Sequence, residues 1–100
     1  MQIERRATRY HFGGVAEVID LDSEKQLIGP ASVLSRSGCF VKTKTPFPQG
    51  RNVRLRITQA EEAFAALGGV ADTTDEGMGI AFKSIESSEQ PILEKWLTMQ

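Results

Sequence analysis

The chain has 100 residues, 40% hydrophobic and 25% charged, with a formal net charge of −1 and a single cysteine, Cys39. That length suits one domain, residues 1–100, with a modest core, and the balance of apolar and charged residues excludes a disordered chain. The charge is not that of a general nucleic-acid binder, one cysteine cannot form an internal disulfide, and no apolar run suits a signal peptide or a membrane span; the expectation is a cytoplasmic domain with no DNA or RNA partner and no membrane insertion.

Residues 1–9 show no sustained alternation and read as a flexible N-terminal arm, in which Arg5, Arg6 and Arg9 place three guanidinium groups within five residues. From Tyr10 a strand begins, with Phe12, Gly14, Ala16, Val18 and Asp20 on one parity and Val15, Glu17 and Ile19 on the other. Gly13-Gly14 inside it points to a bulge or a close backbone approach. After the polar turn Asp22–Lys25, Leu27–Leu34 reads as a second strand, with Gly29-Pro30 marking an edge or an irregularity. Ser35-Arg36-Ser37-Gly38 is a tight turn into the short strand Cys39–Val41, and Pro46–Gly50 is a loop.

Asn52–Thr58 alternates cleanly, with Val53, Leu55 and Ile57 inward and Arg54 and Arg56 outward. Glu61–Leu67 is ambiguous between helix and strand; Gly69–Ala71 is strand-like, 72–77 a turn and Met78–Phe82 the last strand. The chain closes with a helix over 88–98, with Ser88 as N-cap, Pro91 in the first turn and an apolar stripe of Ile92, Leu93, Trp96 and Leu97. Short strands at even spacing with one closing helix imply a mainly β fold, a small antiparallel barrel.

Little here points to catalysis. His11 is the only histidine, Cys39 sits in an apolar strand where a buried inert thiol is the simpler reading, and no third group is suggested to orient the pair. Asp72 and Asp75 fall in a turn that favours Asp for local backbone hydrogen bonds, with a metal pair as the alternative. No P-loop or dinucleotide glycine pattern occurs. What remains is an anion or nucleotide site. The three arginines suit phosphate oxygens and the O6/N7 edge of guanine, and a folded-back arm would meet the hydroxyls of Ser35 and Ser37 and the open backbone at Gly38; a solvated basic run is the plainer reading of the same arginines.

Arg5-Arg6-Ala7-Thr8-Arg9 resembles the RxxxR motif of PilZ domains, Arg5 and Arg9 being the spaced pair and Arg6 the frequent additional arginine. Ser35-Arg36-Ser37-Gly38 is similar to the SxxG half of the family's second motif, (D/N)xSxxG, and Gly77–Phe82 and the helix ending at Trp96-Leu97 match its late strand and closing helix. The resemblance runs from Glu4 to Leu97. It implies a six-stranded antiparallel barrel with a C-terminal helix that binds the bacterial second messenger cyclic di-GMP, with no other cofactor, no metal and no catalysis. Carried over, the ligand residues are Arg5, Arg6, Arg9, Ser35 and Gly38, with Val33, Arg36 and Ser37 as weaker candidates.

One position departs: the (D/N) of the second motif falls on Val33, which offers no carboxylate or amide, and its polar neighbour Ser32 should point to the opposite face of the strand. The resemblance therefore implies either a receptor that relays ligand level to an effector protein by ordering of the arginine arm, in motility or biofilm control, or an adaptor that kept the fold and lost the ligand, a reading that an exposed apolar patch around Phe47 or the late strand would favour. A domain of this length is expected to act through another protein. A homodimer is compatible with the sequence and not required by it.

Overall fold

The computed structural model describes residues 8–99. Alternation sorts the side chains into an inside and an outside. Along β1 (Arg9–Asp20), Phe12, Gly14, Ala16, Val18 and Asp20 are buried while Val15 and Glu17 are exposed. The same two-residue period runs through β3 (Gly38–Lys42) and β4 (Asn52–Gln59), and in β2 (Gln26–Ser35), β5 (Glu62–Thr74) and β6 (Gly77–Ser84) it is interrupted locally, at register shifts in β2 and β5. The strands hydrogen-bond antiparallel in the order β1-β2-β3-β6-β5-β4 and close into a barrel, with β4 returning to β1. That return begins at Val15, opposite Thr58, whereas the pairing of β1 with β2 reaches back to Arg9, opposite Ser35.

Helix α1 (Gln90–Thr98) lies against the region where β1 has parted from β4. Leu93, Trp96 and Leu97 are buried and Ile92 is half-buried, as their spacing predicts. Trp96, 1% exposed, bridges β1 and β5: its ring lies 5.1 Å from Phe12 and 6.2 Å from Phe64, and Phe64 in turn meets Phe82 edge-on at 5.4 Å. Lys95 pairs with Glu62 at 3.0 Å and Arg36 with Glu94, so ion pairs from the start of β5 and from the β2–β3 turn reach the helix.

Several sequence expectations change. Glu61–Leu67 is strand from Glu62 onward: β5 pairs with β4 along its first half, and sheet closure overrides the helix preference of its Ala and Glu residues. A tight turn at Ala60-Glu61, with Ala60 at φ 56°, makes that hairpin. The turn expected over 72–77 shrinks to Asp75-Glu76, because β5 continues to Thr74. The helix N-cap is Glu89 rather than Ser88; the Glu89 carboxylate does not cap, but accepts the Ala65 backbone N–H at 2.9 Å and so ties the helix start to β5. Two expectations hold: Gly29-Pro30 is laddered to β1 alone, just before the pairing of β2 with β3 begins at Ala31, and the irregularity at Gly13-Gly14 is present as a register shift between His11 and Gly14. Phe47 belongs to the core and forms no exposed patch.

Asp20 is the inward charge that alternation placed on the core side, 1% exposed. Burial by itself would raise its pKa. The Asp22 backbone N–H at 3.0 Å, the Ser23 hydroxyl at 3.1 Å and the Arg51 guanidinium at 2.6 Å outweigh that and hold it below the usual carboxylate value.

Replacing the bridge should unfasten the helix from the barrel. Trp96→Ala is expected to cost about 3–5 kcal/mol in chemical denaturation, the range for emptying a buried aromatic site; a loss below about 1 kcal/mol would show that α1 is not part of the cooperative unit.

Candidate functional site

The turn between β2 and β3 is built by one hydroxyl. Ser35, 7% exposed, accepts the backbone N–H groups of Ser37 at 3.2 Å and Gly38 at 3.1 Å and donates to the Gly38 carbonyl at 3.2 Å. Its hydrogen bonds therefore shape the turn. The Ser37 carbonyl accepts the Phe82 N–H at 2.8 Å, which fastens the turn to β6. At Gly38 the backbone passes so close to β6 that a Cβ would overlap the Ile80 carbonyl oxygen, so glycine is required by space.

Beside this turn the outer face of the barrel carries a cleft of about 380 Å³, lined by Arg9, Val33, Ser35, Gly38, Phe40, Asp72 and Gly79 among others. Arg9 enters because register sets it opposite Ser35, and it is exposed. Val33 is half-buried on the same outer face, opposite His11 on one side and Phe40 on the other. Ser32 does not point away from it as strict alternation requires. Register shifts between Ala31 and Val33, and with Ala31 and Leu34 both inward, Ser32 and Val33 both fall on the outer side.

The structure thus brings together Arg9, Val33, Ser35, Ser37 and Gly38 around one cleft. Arg36 is placed elsewhere: its guanidinium reaches Glu94 of α1. Arg5 and Arg6 lie outside the described residues. The cleft also holds residues that sequence reading did not select. From the sequence alone Phe40 and Gly79 are strand residues, and Asp72 is a turn residue with a metal pair as the alternative. Nothing in the sequence marks the register that groups them.

His11 and Cys39 do not meet as a catalytic pair. His11 is exposed on the outer face, whereas Cys39, 7% exposed, points inward and burial pushes its thiol pKa up to about 12. Among the described residues no three His, Cys, Asp or Glu side chains gather as metal ligands, and no helix is long and apolar enough to cross a membrane.

The family model for the PilZ domain matches residues 3–98. Among solved structures the chain is similar to the inhibitor of motility (MotI/DgrA) of Bacillus subtilis, with a TM-score of 0.77 at 18% identity; the match covers 98% of this chain and 52% of that one. The chain therefore spans about half the length of that protein, and the likeness is one of fold. A search of curated proteins found no match.

Two outcomes follow from the turn. Gly38→Ala is expected to lower stability by about 1–3 kcal/mol, as overpacking against backbone does, with the Ser35–Gly38 amide signals shifting in an NMR correlation spectrum; an unperturbed spectrum would refute the close approach. Cys39 should make stability fall in alkali. Both states keep the thiol proton below the unfolded pKa of about 8.5, and above it only the unfolded chain ionises until the folded pKa is reached. The stability of the wild type relative to Cys39→Ala should thus decline by about 1.4 kcal/mol per pH unit between about pH 9 and 11, and a flat difference would contradict the buried thiol.

Proposed function

Because the chain belongs to the PilZ domain family, a family of receptor and adaptor modules, we propose that it is a cyclic di-GMP receptor whose ligand binds in the cleft between Arg9 and the Ser35–Gly38 turn. The observation that supports this reading is the convergence of the two motif halves: Arg9 and the Ser35–Gly38 turn line one concave surface although they are separated by a whole hairpin in sequence. A guanidinium is suited to both halves of such a ligand, as a fork on the guanine edge or phosphate and as a plane that stacks on a base. Arg5 and Arg6 join the site by the family's motif. Ser35 and Gly38 contribute chiefly by holding the turn open to backbone contact. In this reading the protein performs no bond-breaking step, and its output is a change in the surface that an effector protein meets once ligand contact fixes the Arg5–Arg9 segment against the cleft. An output in motility control accords with the name of the structural neighbour.

Val33 favours a second reading, an adaptor with weakened ligand binding. It is half-buried on the cleft wall and offers no acceptor for the donors of guanine. A lost hydrogen bond to a charged acceptor costs about 1.5–3 kcal/mol, or roughly ten- to a hundredfold in affinity.

Calorimetric titration separates the two. A receptor is expected to bind cyclic di-GMP with a Kd near or below about 10 μM and to ignore GTP, and Arg9→Ala should lose about 1–3 kcal/mol of that binding. Silence up to millimolar ligand, reversed by Val33→Asp, would establish the adaptor reading instead.

A further inference from the structure

The outer face carries a row that crosses four strands. Register sets Val33 of β2 opposite Phe40 of β3, Phe40 opposite Gly79 of β6, and Gly79 opposite Asp72 of β5. Asp72 owes its place to an irregularity. Val70 pairs with Ile80 and Asp72 with Gly79, so β5 carries one extra residue, Ala71. Val70 is buried, and Thr73 pairs with the buried Met78, which leaves Ala71 and Asp72 together on the outside. Strict alternation counted from Val70 would turn Asp72 towards the core. Bulges of this kind re-aim a side chain locally.

Gly79 completes the arrangement. A Cβ at this position would lie 2.5 Å from Asp72 Oδ1, so the carboxylate leans across the strand where β6 has no side chain. That brings it within about two inter-strand spacings, about 10 Å, of Val33, with the half-buried ring of Phe40 between them. Asp72 is the one carboxylate and Arg9 the one guanidinium among the described residues that line the cleft. No described residue donates a hydrogen bond or a salt bridge to Asp72, whereas Asp20 and Glu89, the other carboxylates turned into structure, each have partners.

We propose that Asp72 is the residue that reads the guanine base, accepting from N1–H and N2–H₂ across the row Val33–Phe40–Gly79–Asp72 and standing in for the acceptor absent at Val33. This rests on the receptor reading above and makes it more specific. The base lies over Phe40, where an aromatic face suits stacking of any base. Selectivity then comes from the carboxylate. Guanine presents two adjacent donors to it, whereas adenine presents an acceptor at the equivalent ring nitrogen, so the carboxylate both attracts the first and repels the second. Asp72 is exposed and holds nothing else in place, so its removal leaves the barrel intact.

The test is titration of cyclic di-GMP and, as the base-edge control, cyclic di-AMP into the full chain, Asp72→Ala and Gly79→Ala, with thermal melts of each. The wild type is expected to prefer cyclic di-GMP. Asp72→Ala should weaken cyclic di-GMP roughly ten- to a hundredfold with an unchanged melting temperature, while cyclic di-AMP binds as before or more tightly. Gly79→Ala, which pushes the carboxylate off the strand, should weaken cyclic di-GMP in the same direction. Unchanged or tighter cyclic di-GMP binding by Asp72→Ala overturns the assignment and leaves the receptor reading standing, as does an equal loss for both ligands. Silence of the wild type towards cyclic di-GMP overturns the receptor reading and this one with it.

Discussion

Trp96 lies between Phe12 of β1 and Phe64 of β5, and much of the molecule is arranged from that contact outward. A six-stranded sheet rolled into a barrel leaves an opening wherever two strands part, here where β1 runs on past the end of its pairing with β4. Only a large flat side chain fills such a gap from a single helical position, and Trp96 is supported on either side by Leu93 and Leu97. Once the helix is seated, its polar side chains become struts: Glu89 takes the Ala65 N–H, Lys95 meets Glu62, and Glu94 meets Arg36 of the β2–β3 turn. The cleft and the helix are thus joined through Arg36, although that side chain does not line the cleft.

With the barrel interior filled by apolar side chains, any recognition chemistry must be placed on the outer face or in turns. The chain does both with few charges, which is why its near-neutral total is informative. Ser35 and Gly38 show how a binding motif divides its labour. The hydroxyl of Ser35 satisfies two backbone N–H groups, and Gly38 lets the strand pass against Ile80, so together they make a stable concave turn. Arg9, exposed and opposite Ser35, is left to make contacts outward.

The architecture was readable in the chain because alternation is a strong signal when one face is buried. Phe12 to Asp20 and Val53 to Ile57 fall on the parity that the structure buries, and the stripe of α1 is where its spacing puts it. The failures have a common physical origin in closure. The Ala and Glu residues that open β5 took strand conformation because β4 required a partner there. The helix N-cap falls one residue later than Ser88, at Glu89, whose carboxylate bonds across to Ala65. The motif residues could be named from sequence, yet Phe40, Gly79 and Asp72 could not, since their proximity depends on strand order and on an extra residue at Ala71, neither of which leaves a local mark. Ser32 was misplaced for the same reason: one register shift reverses a parity argument completely.

The uneven pairing of β1 carries a consequence for how firmly the arginine-bearing end is held. From Val15 to Ile19 the strand is laddered on both sides; Arg9, Tyr10 and His11 are laddered to β2 alone. Backbone amides in the two stretches therefore open with different free energies, and solvent hydrogen should exchange into Arg9–His11 well before Val15–Ile19. A weakly protected part of the sheet is thus the part that carries Arg9 to the cleft. A segment with little local stability of its own can be reset by a modest interaction, so occupancy of the cleft would be registered as a rise in protection along the first turn of strand, with the core of the barrel unmoved.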